Sequence, residues 1–453
     1  MRALFRNPDF VRLFAGRVVT NVGDSLYFVA AMWLVYDLTG SATYSGIAGF
    51  LVMAPAALQA FFGPLVDRWN LRRIMVGTQL VQGVVILSLP VAAHFGYLSV
   101  WLVLTVMPLL SLLNQLVYPA HSALVPRIVE DDELVSANSL FALAYQGVDS
   151  VANAAGGVLI ALVGATTLFL VDSVTFAAAA LLFATVRVPE AEPNRAASPS
   201  ESADSVAVAD GGVADEAVDD DNSGDGGVDD DNSGDGSADD DSSYLTDLRE
   251  GVDFVRGTVL VPILLGSALV NVAAGGAIFA SMPAFADTFG GPRAYGTMMA
   301  AFGVGSFLGA LVASRVDDRP FGLLSIACFA SSGVVWIGSI LLAMLTGDLL
   351  LTASVFALSV VPIGVSNVLL GAMTQSIVPE ALMGRVSSVL GSAATASIPV
   401  GALFGGALTD ALGPYPIFLA TGGGLLLLAG YWLTDSRLRS LGAVESAETL
   451  SAA

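Results

Sequence analysis

The sequence predicts an all-α membrane protein: twelve transmembrane helices forming two six-helix bundles in the same orientation. Three observations carry this. The 453-residue chain is 55% hydrophobic and 13% charged, too apolar for a globular protein in water. Its apolar runs number about twelve, each of roughly 20 residues, the length that crosses a hydrocarbon core as a helix. A shift of 250 residues superposes Asn21 on Asn271, Asp37 on Asp287, Gly40 on Gly290, Gly46 on Gly296, Asp67 on Asp317 and Gly83 on Gly333. With small gaps, Asn114 matches Asn367 and Gly156-Gly157 matches Gly405-Gly406. Chance matching of glycine-rich helices would not hold one register so far.

In chain order, the spans of the first half lie near 11–36, 44–66, 74–93, 98–121, 137–163 and 165–186. Those of the second half lie near 258–286, 294–315, 322–345, 349–373, 386–409 and 415–434. Arginines mark alternate connectors. Arg2 and Arg6 precede the first span, Arg68, Arg72 and Arg73 follow the second, Arg127 the fourth, and Arg187 and Arg195 the sixth. Arg315 and Arg319 follow the eighth, Arg385 the tenth, and Arg437 and Arg439 the last. The opposite loops are short and carry no arginine except Arg293. By the positive-inside rule, a multi-pass protein of the cell membrane with both termini cytoplasmic is expected. The division is then two six-helix bundles over 1–187 and 251–436, an acidic linker over 188–250 and a cytoplasmic tail over 437–453. No cleavable targeting peptide is evident, because the first apolar run contains Arg12 and Arg17 and many similar runs follow.

The linker holds most of the charge: of a net −22, residues 190–250 contribute −18. Within it, "VDDDNSGDGGVDDDNSGDGS" repeats a ten-residue unit, and Asp219, Asp221, Ser223, Gly224 and Asp230 fall on positions 1, 3, 5, 6 and 12 of a calcium loop. Three features oppose a calcium site. No amphipathic helices flank the loop, Gly226 and Gly236 replace the apolar eighth residue, and position 12 is Asp rather than Glu. The segment reads as a disordered, hydrated tether between the bundles. No metal site, phosphate-binding loop or nucleophile elbow is present, so neither an enzyme nor an ATP-driven pump is expected, and no cofactor.

After the second span stands "GPLVDRWNLRR", Gly63 to Arg73, and in the second half "VPEALMGRVSSVLGS". With the opening "NPDFVRLFAGRVVTNVGDSLYF" and "PAHSALVPRIVEDDELVSANSL", the chain resembles the major facilitator superfamily, in particular its drug- and siderophore-exporter branch. The resemblance covers nearly all of the chain outside the acidic insert, and Asn70-Leu71 depart from the usual Gly-Arg of the loop. It implies a cytoplasmic gate of Gly63, Asp67, Arg68 and Arg72, which latches when the transporter faces outward, with Arg385 as partner. The residues have their own reading. Arginines such as Arg72 and Arg73 anchor the cytoplasmic surface, and Asp67 at a helix C-terminus needs a cation or a helix N-terminus to offset the macrodipole.

Ionisable groups inside the bilayer are costly and call for a functional hypothesis. Asp24 sits mid-span in "NVGDSLYF", either coupling transport or held by hydrogen bonds, with Arg17 as a possible partner. Tyr145, Gln146, Asp149 and Asn153 recur at helical spacing and share a face. Asn114 and Gln115 line the cavity in this reading. Tyr27, Met32 and Trp33 are either an apolar substrate wall or lipid-facing aromatics. Asp172, nearer the extracellular end of its span, is expected to be solvated, and His121 to be a surface histidine. Relative to the family's antiporters, Ala152-Asn153 replace a Gly-Pro, and the fourth helix lacks the family's arginine.

The expected function is secondary transport by alternating access: proton-coupled efflux of a small amphipathic or hydrophobic compound, with Asp24 and Asp149 carrying the proton. Sodium stays open as the coupling ion, and the alternatives are an importer of a small organic solute or a receptor or scaffold on the same fold. The partners expected are the small-molecule substrate, the coupling ion and the lipid bilayer, with no nucleic acid, for a monomer. Asp67→Asn is expected to leave the protein folded and to slow transport; transport at the wild-type rate would remove the latch assignment.

Overall fold

The computed structural model of the protein describes residues 4–58, 69–188, 260–316, 318–378 and 380–442. Among the described residues, helices occupy each stretch at which the hydropathy placed a span. In the first half they are α1 (Pro8–Thr39), α2 (Ala42–Met53, continued by a 3-10 stretch, Ala54–Leu58), α3 (Leu71–His94), α4 (Val100–Ile128), α5 (Leu134–Val163) and α6 (Ala165–Ala184). In the second, α7 comprises Leu260–Val270, a π-helical stretch Asn271–Ala277 and Ile278–Asp287. It is followed by α8 (Pro292–Ala313), α9 (Phe321–Thr346), α10 (Leu349–Ile377), α11 (Glu380–Leu412), α12 (Pro414–Thr434) and the short α13 (Ser436–Arg439). Among the described residues, nine helices are long and apolar enough to cross a membrane, and shorter apolar stretches lie in α2, α5 and α11. Gly63, Asp67, Arg68 and the acidic repeat lie outside the described residues.

The helix ends follow local chemistry. Asn7 caps α1 by accepting from the N–H of Asp9 and Phe10, with Pro8 in the first turn, where its missing N–H costs nothing. The helix stops at Gly40, whose φ of +64° suits glycine. Asn70 caps α3 and Ser99 caps α4 in the same way. Large apolar side chains such as Val84, Leu345 and Leu427 point outward, as they should where the surrounding solvent is lipid. Inside the second bundle, Trp336, Phe356, Phe418 and Phe285 stack in one cluster, with the Trp336 indole N–H donating to the Phe418 carbonyl at 3.0 Å.

The most extensive contacts between the bundles are those of two helix pairs, α2 with α11 and α5 with α8. Both crossings are built on glycine. A Cβ at Gly46 of α2 would overlap the backbone of α11 at Ala402 and Gly406, and a Cβ at Gly157 of α5 would overlap Gly296 of α8. Gly296 is the repeat mate of Gly46, and the Gly156-Gly157 pair is the mate of Gly405-Gly406. The repeat in the sequence is therefore a repeat of contacts. Within the bundles the pattern recurs: Gly83 of α3 lies against α6, and its mate Gly333 of α9 against α12. Small residues at such crossings let backbones approach, which supplies the van der Waals attraction that replaces the hydrophobic effect in lipid.

Gly46→Leu and Gly157→Leu are each expected to destabilise the protein by about 1–3 kcal/mol through overpacking. Gly147→Leu, at a glycine with open space around it, should be tolerated. Thermal unfolding in detergent, followed by size-exclusion chromatography, checks the contrast.

Candidate functional site

In the orientation that the arginines imply, α1 begins at the cytoplasmic face and ends at the extracellular one. Asp24 lies midway along α1 and is partly exposed. The Asn114 amide of α4 approaches its Oδ2 at 3.5 Å, which brings together two of the polar residues singled out from the sequence. Gln115 is different. It is buried, and its amide donates to the Ser111 carbonyl of its own helix at 3.2 Å, so it does not share the Asn114 surface.

Arg17 is buried one turn from the Asn21 level of α1 and is the hub of the cytoplasmic half of this bundle. Its Nε donates to the Tyr145 hydroxyl at 2.8 Å, and its guanidinium lies over the rings of Tyr118 and Tyr145, 5.6 and 5.2 Å from their centroids. The guanidinium thus goes to Tyr145 rather than to Asp24, because seven residues of helix separate the two by about 10 Å along the axis. Asn21 adds a donor to the Tyr145 carbonyl at 3.4 Å, fastening α5 to α1. Asp149 and Asn153 continue along α5 beyond Tyr145, and their side chains lie outside the described residues.

Several expectations are corrected. Tyr27, Met32 and Trp33 are buried rather than lipid-facing. Trp33 packs on Tyr295 of the second bundle with ring centroids 5.5 Å apart, and Tyr27 packs on Phe169. His121 is half-buried, its ring edge-on to Phe141 at 4.4 Å, instead of a surface residue. Asp172 is wholly buried, not solvated. Depth judged along α6 alone misleads here, because the 32 residues of α1 exceed the 20 of α6. The excess is about 18 Å of helix, so a residue seven positions into α6 faces the middle of α1.

At the cytoplasmic face, Arg72 donates to the Ala184 carbonyl at the C-terminus of α6, which ties two helices of one bundle and suits an anchoring role. Arg385 sits near the start of α11, and its side chain lies outside the described residues.

On the face that the arginines imply is extracellular, the two bundles are joined by a contact that sequence reasoning missed. Ser41 precedes α2 but makes no capping hydrogen bond of its own. Asp410, at the end of α11, supplies the cap from the other bundle. Its Oδ1 accepts the Ala42 N–H at 2.7 Å, and its Oδ2 accepts the Ser41 hydroxyl at 2.5 Å and the Thr43 N–H at 3.0 Å. A carboxylate on the positive end of a helix is favoured by both the macrodipole and the free N–H groups. Beside it the Tyr36 hydroxyl reaches Asp287 of α7 at 3.5 Å, and Phe28 meets Phe279. The sequence signal was slight: a carboxylate one turn before a Gly-Pro loop, and a helix start lacking its own cap.

The chain matches two family models, one described as "Transmembrane secretion effector" over residues 2–210 and one described as "Major Facilitator Superfamily" over residues 264–450. Among its curated relatives, the multidrug efflux pump Tap of Mycolicibacterium fortuitum is 27% identical over 454 residues, covering 96% of this chain and 97% of the relative. The macrolide efflux protein A of Streptococcus pyogenes is 26% identical over 189 residues, covering 40% of this chain and 45% of the relative. Two solved structures share the fold. A bacterial homologue of the iron transporter ferroportin in an inward-facing state matches with TM-score 0.62 at 15% identity, over 95% of this chain and 100% of that one. The nucleoside transporter NupG matches with TM-score 0.65 at 11% identity, over 94% and 99%.

Charge-assisted hydrogen bonds contribute about 1.5–3 kcal/mol each. Asp410→Ala is therefore expected to shift the population away from the closed extracellular face by at least about tenfold, since 1.4 kcal/mol is a factor of ten. Asp410→Asn, which can still cap, should fall between it and the wild type. Spin-label distances between the extracellular ends of α2 and α11 report the shift, and an unchanged distribution in Asp410→Ala would dismiss the contact as incidental.

Proposed function

The chain belongs to the major facilitator superfamily of transporters, and from that premise we propose that it exports small amphipathic or hydrophobic compounds by proton-coupled alternating access. The observation that carries this is the placement of Asp24: a partly exposed carboxylate midway along α1, met by the Asn114 amide, below an extracellular face held shut between the bundles. A group of this kind can take up a proton from water on one side and release it on the other as the bundles rock. Export is supported by the relatives named efflux pump and efflux protein.

The distribution of charge supports a division of labour. The first bundle places Arg17, Asp24, Asp149 and Asp172 within its spans. The second has no carboxylate or arginine in its span interiors, only at helix ends and in loops. In this reading the first bundle carries the coupling ion, and the second contributes apolar and aromatic surface such as Phe279, Phe302 and Tyr295 to an amphipathic substrate. Tyr145 and Asn153 line the path from the cytoplasm with Asp149. Gly63, Asp67, Arg68 and Arg72, with Arg385, form the cytoplasmic gate that replaces the Asp410 contact when the transporter faces outward. The protein lies in the cell membrane with both termini and the acidic segment in the cytoplasm, where residues 188–250 act as a hydrated tether.

Flux of amphipathic dyes in proteoliposomes under an imposed pH or sodium gradient tests the proposal. The wild type is expected to respond to the pH gradient, and Asp24→Asn to lose at least about tenfold in rate, a barrier increase of about 1.4 kcal/mol. Flux driven by sodium alone would reassign the coupling ion. No flux over a broad compound panel would remove the transport reading for these substrates.

A further inference from the structure

Asp172 on α6 is a buried carboxyl with no role in the coupling scheme above. It is 0% exposed. Its Oδ1 accepts the Thr175 hydroxyl at 3.0 Å, a bond within its own turn, and its Oδ2 has no hydrogen-bond partner among the described residues. The space it occupies is made by α1. A Cβ on Gly23 would overlap both the Asp172 carboxyl and the Thr175 hydroxyl, so the carboxyl lies against α1 at Gly23, the residue that precedes Asp24 in the chain. One turn further along α1, the Tyr27 hydroxyl is also buried with no partner among the described residues. Two polar groups without a hydrogen-bond partner among the described residues thus lie buried within one turn of Asp24 along α1.

The other helices packed on α6 bring no cation to this point. Ser173 donates to the Gly83 carbonyl of α3 at 3.1 Å, and the ionisable residues of α3 are Arg72 and Arg73 at its cytoplasmic start and His94 at its extracellular end. The ionisable residues of α5 are Tyr145, which is committed to Arg17, and Asp149. From α1 the charged neighbours are Asp24 and, two turns towards the cytoplasm, Arg17 with its guanidinium over Tyr118 and Tyr145. A buried carboxylate without a cation is costly, and a second carboxylate beside it raises that cost.

We propose that Asp172 and Asp24 form one proton-binding site that holds a single shared proton while the extracellular face is closed, Asp172 being the deep member and Asp24 the member in contact with water. Binding is the protonation of one carboxylate oxygen, and release returns the proton to water by way of Asp24. Gly23 is required because any side chain there would displace the carboxyl.

This rests on the proton-coupled reading, so the decisive measurement is independent of flux. Infrared spectra of the wild-type transporter in lipid, recorded across a pH titration, should show the carbonyl band of a protonated carboxylic acid persisting at neutral pH. Asp172→Asn should remove that band. Thr175→Val, which keeps the carboxyl and removes only its donor, should move the band's titration to higher pH, because that bond favours the ionised form. In flux assays Asp172→Asn should lose at least about tenfold in pH-driven rate, the scale of a lost proton-transfer group. A carbonyl band that survives in Asp172→Asn, or no band in the wild type at neutral pH, would overturn the shared site. If the wild type shows the Asp172-dependent band but no pH-driven flux, the proton site stands and the proton-coupled function falls.

Discussion

Everything in this structure depends on how closely two pairs of helices can approach. Gly46 against Gly406 and Gly157 against Gly296 place backbones of the two bundles in direct contact, with no side chain between them. In lipid there is no hydrophobic effect to press helices together, so the attraction comes from such contacts and from a few hydrogen bonds. The two crossings are equivalent under the repeat. A symmetric pair of narrow contacts can act as a pivot, because neither bundle is interlocked with the other by large side chains at these points.

Once the bundles are set by these crossings, the extracellular ends of α2 and α11 come together and Asp410 caps a helix of the other bundle. The cap is worth having only when the two helices are adjacent. Its contribution therefore belongs to one conformation, as a gate requires. The aromatic contacts on the same side, Trp33 with Tyr295 and Phe28 with Phe279, extend the closed surface towards the middle of the membrane. Beneath it, the charged side chains within the spans are gathered on one side of the pivot. Arg17, Asn21, Asp24 and Asn114 are fastened to one another or to Tyr145 within the first bundle. The second bundle is held by stacked rings such as Phe285 on Phe418. Two halves descended from one pattern have thus diverged in chemistry while keeping the same crossings.

The π-helical stretch in α7 fits the same logic. Over Asn271–Ala277 the backbone lies against α11, where Gly276 meets the Ile398 carbonyl and Gly401 the Val272 carbonyl. An inserted residue alters helical phase without breaking the rod, and such bulges occur at functional positions. Here it lets α7 follow α11 closely.

Much of this was legible in the sequence. Span positions and the pairing of halves followed from hydropathy and a register of glycines, because each reports on lipid or on a close backbone approach, constraints that act residue by residue. The reason to single out Asp24 was the cost of charge in a bilayer. What the sequence could not state was which neighbours each side chain would find. Asp172 looked solvated because its depth was measured along α6, whereas burial depends on the longer α1 beside it. Arg17 could have gone to Asp24, and only the packing of α4 and α5 gave it two aromatic rings and a hydroxyl. Asp410 was one acidic residue at a helix end until α2 was brought to it. The sequence by itself determined which segments enter the membrane and which glycines must touch. Only the tertiary structure decided the partners of the charged groups, because hydrogen bonds and ion pairs act over a few ångströms between residues far apart in the chain.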